Sequence, residues 1–258
     1  MHSLVRGVVL LIVLPLVAAC ASAVPPSRIG QYLSLSQPSA AESLLKSEQH
    51  PIKAGLVLVP DQVDPTAAPV LPEEALARLG DGLKQDFGRV LPVTITEVLS
   101  TDGLRPQSQG GDLARLVELA KSKGLDYLAV VVVSSAEQEY PVSLFLGWTS
   151  HMQPGYRRDN WSLLEFALLD VRSGKALMQA EGRGWATLDR PTAPGINQWY
   201  PVVYLRPQER RIWPPTFEGA PNTLRVVSFE QAAKRLTLKL QNSWLGELEA
   251  DAAARRNS

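Results

Sequence analysis

The sequence predicts an α/β protein: a single mixed β-sheet with helices in the order β-α-β-α-β and then a β-hairpin, followed by a Pro/aromatic extended segment and a C-terminal amphipathic helix. Three observations carry this. Tyr127–Val133 (YLAVVVV) is apolar at every position, as a strand covered on both faces requires. Two upstream stretches repeat apolar residues at spacings of three and four, the helical period, between apolar or β-branched runs. Arg172-Ser173-Gly174 separates two further apolar runs, the mark of a hairpin turn.

In chain order, Leu56–Val59 is an apolar run stopped by Pro60 and reads as a buried strand. Leu76, Leu79, Leu83 and Phe87 form a helical stripe behind Pro72, Glu73 and Glu74; proline in the first turn and acids at the positive dipole end favour a helix start. Gly80 and Gly82 each weaken that helix by about 1 kcal/mol relative to alanine, so packing has to hold it. Val93–Val98 is β-branched and alternating, hence a strand. Gly110–Gly124 is a second helix, striped by Leu113, Leu116, Val117 and Ala120, with Lys121 and Lys123 at its negative end and Gly124 closing it. After the all-apolar strand, Trp161–Val171 and Lys175–Thr187 make the hairpin. Gly182-Arg183-Gly184 lacks the strand-to-helix setting of a dinucleotide loop and reads as a bulge or an edge. Asp61 and Asp64, in the Pro60–Pro65 loop, read as turn formers.

The α/β domain so defined spans 51–190 and carries an insertion at 140–161. Its first half (Val142–Trp148) is apolar and its second, Tyr156-Arg157-Arg158, aromatic and basic. Connections are usually about 4–6 residues, so this excursion is either a paired hairpin or a projecting loop. In 191–224, seven prolines (191, 194, 201, 207, 214, 215 and 221) alternate with Trp199, Tyr200, Tyr204, Trp213 and Phe217. That density argues against regular helix and central strand, leaving either a wrapping segment with buried aromatics or a partner surface. In 225–258, Phe229, Ala233, Leu236, Leu240 and Trp244 set a helix from Ser228 to about Ala250, with Asp251–Ser258 as a frayed tail.

Residues 1–19 read as a lipoprotein signal peptide: Arg6, then the apolar Gly7–Leu16, too short for the roughly 20 residues of a membrane-spanning helix. Val17-Ala18-Ala19-Cys20 resembles the bacterial lipobox, in which the cysteine is acylated and becomes the new amino terminus. The single cysteine of the chain stands at the position that pattern requires. The Ser/Ala/Pro-rich residues 20–50 then read as a lipidated tether, with a short helix at 40–48. Ala21, where inner-membrane retention would call for Asp, implies by the same resemblance the periplasmic face of the outer membrane.

Charge and motifs narrow the function. With 26 basic and 26 acidic residues there is no field to attract nucleic acid. One cysteine excludes an intramolecular disulfide and a cysteine-rich zinc site. His50 and His151 have no companion at metal-ligand spacing, Ser43-Leu44-Leu45-Lys46 lacks the Lys-Thr-Gly element its Ser-x-x-Lys pattern needs, and neither a Walker loop nor Gly-x-Ser-x-Gly occurs. No catalytic residue, metal or cofactor is assigned. The expected function is a non-catalytic, membrane-anchored binding or scaffolding component of the envelope. The alternative is a periplasm-facing hydrolase or metal enzyme using scattered carboxylates. Trp, Tyr and Arg dominate binding hot spots, which makes Trp148, Tyr156, Arg157, Trp199, Tyr204 and Trp213 the candidate partner surface.

A lipobox followed by KAGLVLVP, VTITEV, AKSKGLDYLAVVVV and LLEFALLDVRSGKAL resembles the bacterial envelope lipoproteins whose domain is similar to the TolB amino-terminal domain. That group includes the penicillin-binding-protein activators, the curli-secretion lipoprotein and the small rhombotarget lipoproteins. The resemblance covers 51–190. It implies an α/β domain held to the lipid bilayer through acylated Cys20 and an envelope-protein or peptidoglycan-associated partner, and it carries no catalytic residue across. Replacing Cys20→Ser is expected to give an unprocessed or soluble form; a variant still processed and fully membrane-bound, on fractionation, refutes the lipobox.

Overall fold

A computed structural model describes residues 25–33, 52–61, 67–99, 111–145, 152–192 and 201–257, in backbone only at 111–113 and 257. Its strands are β1 (Lys53–Pro60), β2 (Thr94–Leu99), β3 (Tyr127–Leu144), β4 (Gln153–Asp170), β5 (Ala176–Pro191), β6 (Val202–Leu205) and β7 (Arg210–Ile212). They form one sheet in the order β2-β1-β3-β4-β5-β6-β7. The β2-β1-β3 part is parallel and the rest antiparallel, so the sheet is mixed as expected. The helices are α1 (Ile29–Leu33), α2 (Glu73–Val90), α3 (Gly111–Ser122) and α4 (Ala220–Asn257).

The all-apolar run lies in the middle of this sheet, with Ala129 to Val132 fully buried, because helices cover both faces there. On one face Leu56, Leu58, Val131, Leu164 and Phe166 meet Leu83 and Phe87 of α2 and Phe229, Leu236 and Leu240 of α4. Phe87 and Phe166 make an edge-to-face pair at 5.0 Å. On the other face Val57, Leu128, Val130, Val132 and Ala167 meet Leu116 and Ala120 of α3 and Tyr32 and Leu33 of α1. The hairpin turn after β4 is built as its residues suggest: Asp170 Oδ1 accepts the amides of Arg172 and Ser173 (2.8 and 3.4 Å), and Gly174 takes the left-handed φ of 68°.

One open alternative is decided and three expectations change. The 140–161 insertion is a paired hairpin: β3 and β4 stay in register from Tyr127↔Asp170 to Leu144↔Gln153, and β4 is not an edge, since β5 flanks it from Gly155 to Leu169. The Pro/aromatic segment does contain strands. Val202–Leu205 fits between Pro201 and Pro207 and pairs with β5 and β7, with both prolines outside that ladder, while Pro191 ends β5 opposite Gly155. The last helix starts earlier, with Pro221 in its first turn, where a missing amide costs nothing, and it continues through Asn257 instead of fraying at Asp251. Finally, part of the expected tether belongs to the body: Pro25, Tyr32 and Leu33 are buried, while the short helix expected at 40–48 lies outside the described residues.

Gly182 and Gly184 mark no bulge; the register shift of the β4/β5 ladder sits at Leu168/Leu169 of β4, beside the turn. They do lie on a stretch of β5 with β4 on one side and no paired strand on the other among the described residues, since β6 pairs only with Ala186–Asp189. The physical reason for glycine is α4. A Cβ on Gly184 would run into the carbonyl of Ser228, and one on Gly182 into the backbone of Ala232 and Leu236. The helix therefore seats directly on the strand backbone. Gly184→Ala is expected to cost about 1–3 kcal/mol by overpacking, whereas Gly82→Ala, with nothing within 4 Å of its added methyl, is expected to add up to about 1 kcal/mol. Melting curves of the two variants should move in opposite directions; parallel shifts refute the seating.

Candidate functional site

The N-terminal segment is held by a carboxylate on a central strand. Glu165 of β4 is 2% exposed and points to the α1/α3 face. It accepts hydrogen bonds from Ser27 Oγ, from Arg28 N at 2.7 Å and from Ile29 N at 3.2 Å. The two amides are orphan donors at the start of α1, and a negative charge there is also favoured by the helix dipole. Tyr32 donates its hydroxyl to Asp61 at 2.6 Å, and the Arg28 guanidinium stands 3.5 Å from the same carboxylate. Asp61 thus fastens the N-terminal segment, while Asp64 lies outside the described residues.

Beyond Glu165 the same face carries no helix among the described residues, and the apolar cluster under α1 and α3 ends at Val132 and Ala167. Alternation along the strands places three cross-strand rows there: Ala136–Trp161–Trp185, Gln138–Asp159–Thr187–Tyr204–Arg211 and Tyr140–Arg157–Asp189. The two tryptophans stack at 6.2 Å with an 18° tilt. Asp159 is buried and accepts the Tyr140 hydroxyl (2.8 Å) and Thr187 Oγ1 (2.6 Å). Arg157 grips Asp189 with two bonds of 2.7 and 2.8 Å. The Tyr204 ring carries the guanidiniums of Arg206 and Arg211 at 5.6 and 5.8 Å, both within cation–π range.

Electrostatics follow from these contacts. The Asp189 hydrogen bonds hold the Arg157 guanidinium above its ordinary range, with burial opposing. Burial first, and then the hydrogen bond and charge of Asp159, push the Tyr140 phenol above its usual 10.0. Asp159, Asp189 and Glu165 are all committed to partners in the protein, which leaves them poorly placed as general bases. Among the described residues no three His, Cys, Asp or Glu side chains gather in a way that could hold a metal. A cleft of about 290 Å³ lies between α2 and α4, lined by Leu79, Leu83 and Phe229 with Arg78, Glu230 and Lys234 at its rim.

Of the residues singled out from the sequence, Cys20, Trp148 and Trp199 lie outside the described residues. Arg157 and Tyr204 lie on this same face, in neighbouring cross-strand rows. Tyr156, next to Arg157 on β4, points to the opposite face, 42% exposed beneath the Arg190 guanidinium at 6.0 Å. Trp213 is 59% exposed just past β7. The site members missed are Trp161, Trp185, Asp159, Thr187, Arg206 and Arg211. The odd-numbered polar and aromatic positions 157, 159, 161 and 185, 187, 189 were the available signal, once β4 and β5 are allowed to run their full lengths.

No family model matches the sequence, and no curated protein is found to be similar to it. Solved structures are similar in part. A neuraminyllactose-binding hemagglutinin homolog from Helicobacter pylori is 9% identical over 81% of this chain and 95% of its own, with a TM-score of 0.38. Bacterial lipoproteins are among the others. The LpoB C-terminal domain from Salmonella enterica is 14% identical over 55% of this chain and 90% of its own, TM-score 0.28. Lipoprotein GNA1162 from Neisseria meningitidis is 12% identical over 57% and 90%, TM-score 0.26. What each of these proteins binds remains its own property.

A tyrosine whose folded-state pKa is raised contributes stability that is complete below the unfolded value, near 10, and is lost as pH climbs through the folded one. Tyr140→Phe removes that dependence together with a hydrogen bond worth about 1 kcal/mol. The stability gap between wild type and Tyr140→Phe should therefore stay constant below about pH 9 and shrink as pH rises from about 10 upward. Denaturant titrations giving a constant gap refute the Tyr140–Asp159 coupling.

Proposed function

We propose that this chain is a non-catalytic lipoprotein of the bacterial cell envelope, with a TolB-amino-terminal-like domain held at the periplasmic face of the outer membrane by acylated Cys20. There it binds or scaffolds an envelope protein or a peptidoglycan-associated partner. The observation that carries this reading is the pattern of exposure at the far end of the sheet. Tyr156, Trp213 and Phe217 stand 42%, 59% and 42% exposed, while the neighbouring carboxylates Asp159 and Asp189 are occupied by structural bonds. Exposed aromatics bury much area at little entropic cost and suit a binding surface. Committed carboxylates suit a hydrolase poorly. Arg157 and Tyr204 act from within the cross-linked face, Arg157 tied to Asp189 and Tyr204 flanked by guanidiniums, so Tyr156 and Trp213 are the residues expected to touch the partner.

Cross-linked envelopes from cells carrying wild type, Tyr156→Ala or Trp213→Ala provide the test, with melting curves run beside the pull-downs. The expected result is a several-fold loss of one recovered partner at nearly unchanged melting temperature. A core aromatic would instead cost about 3–5 kcal/mol on truncation. Full recovery with both variants refutes this surface.

A further inference from the structure

We infer that the aromatic face around Trp161 and Trp185 lies against the headgroup layer of the membrane that holds the anchor, so that the folded body rides on the bilayer. The inference rests on the acylation of Cys20 proposed above and adds an orientation to it. Pro25 is buried, and Ser27, Arg28 and Ile29 are fastened to Glu165. Only five residues of contour separate Cys20 from Pro25, at most about 18 Å of extended chain. If the domain began at Ile52 instead, 32 residues would intervene, with a reach of about 110 Å. The docked segment thus removes most of the tether.

What stands near that attachment point decides the contact. Trp161 is four residues from Glu165 along β4 and on the same face, a distance of about 13 Å. Trp185 stacks on it and is 38% exposed. Tyr204 follows on the same face, flanked by Arg206 and Arg211. Tryptophan and tyrosine favour the membrane–water interface, where an amphipathic ring is half apolar and half wet. Guanidiniums match lipid phosphates with paired donors. Acidic and basic groups nearly balance on this face, Arg157 against Asp189 and Arg206 against Glu209, so the attraction is interfacial and not a long-range electrostatic pull. The α2/α4 face lies across the sheet and points away.

The test uses the full lipidated chain in vesicles of phosphatidylethanolamine and phosphatidylglycerol containing a lipid with a headgroup nitroxide. Because Cys20 is the single native cysteine and is acylated, an introduced thiol takes a fluorophore alone. Trp185→Cys and Arg183→Cys label the face in question, Arg183 being exposed on the same side, and Leu248→Cys labels the 40%-exposed flank of α4. The expected result is several-fold stronger quenching at 183 and 185 than at 248. Equal quenching at all three, with the protein still floating on the vesicles, overturns the orientation and leaves the anchor standing. Failure of the wild-type protein to float overturns the anchor and the orientation with it.

Discussion

The length of the three central strands is the constraint from which the rest follows. β3 and β4 have 18 residues each and β5 has 16, so they reach about 55–60 Å. No short helix can cover that length. α3, with 12 residues, spans about 18 Å, and together with α1 it covers only the half of its face that contains Val130, Val132 and Ala167. Over the other half no helix lies among the described residues, and its side chains tie to one another: Asp159 with Tyr140 and Thr187, Arg157 with Asp189, Trp161 with Trp185. Asp159, Asp189 and Arg157 each find a partner on a neighbouring strand, while the buried Ser134 hydroxyl on this face has none among the described residues.

The opposite face shows the other solution. α4 runs over β4 and β5 from Leu224, beside Leu188 and Val203, to Leu240, in the cluster of Phe166. Its close seat requires Gly182 and Gly184, and its register is fixed by polar contacts unavailable to a purely apolar interface. Arg225 binds Glu137 of β3 through two nitrogens, and Gln231 accepts the amide of Trp185 at 2.7 Å. The Arg225–Glu137 pair is largely buried, with side chains 8% and 13% exposed. Such a pair adds little net stability, but loss of one member strands the other, which typically costs about 3–5 kcal/mol. It acts as a position marker: α4 can slide only by leaving a charge without its counter-charge.

Glu165 links fold and placement. A carboxylate in the middle of a buried strand is unfavourable unless every lone pair is used, and the donors that use them come from residues 27–29. The sheet therefore holds the N-terminal segment down, and the segment in turn completes the sheet. Whatever is attached upstream of Pro25 is then coupled to one defined face of the body instead of to a free leader.

By itself the sequence determined everything that depends on local pattern. The buried strand at Tyr127–Val133, the α2 and α3 stripes through Leu83, Phe87, Leu116 and Ala120, the Asp170–Gly174 turn and the mixed α/β class all follow from periodicity and turn chemistry, which act within about a dozen residues. The candidate site was legible only in part. Arg157 and Tyr204 stood out as residue types, but Tyr156 and Arg157 looked like one feature and point to opposite faces, because alternation counts only once a strand is known to continue. The tertiary structure decided what depends on partners far away in the chain: that β3 and β4 extend through the insertion, that glycines 182 and 184 receive α4, that prolines 201 and 207 bracket a strand, and that Glu165 captures residues 27–29. The seat of α4 and the capture of residues 27–29 join segments dozens of residues apart, and even the nearer strand pairings depend on which surfaces meet, which no local pattern encodes.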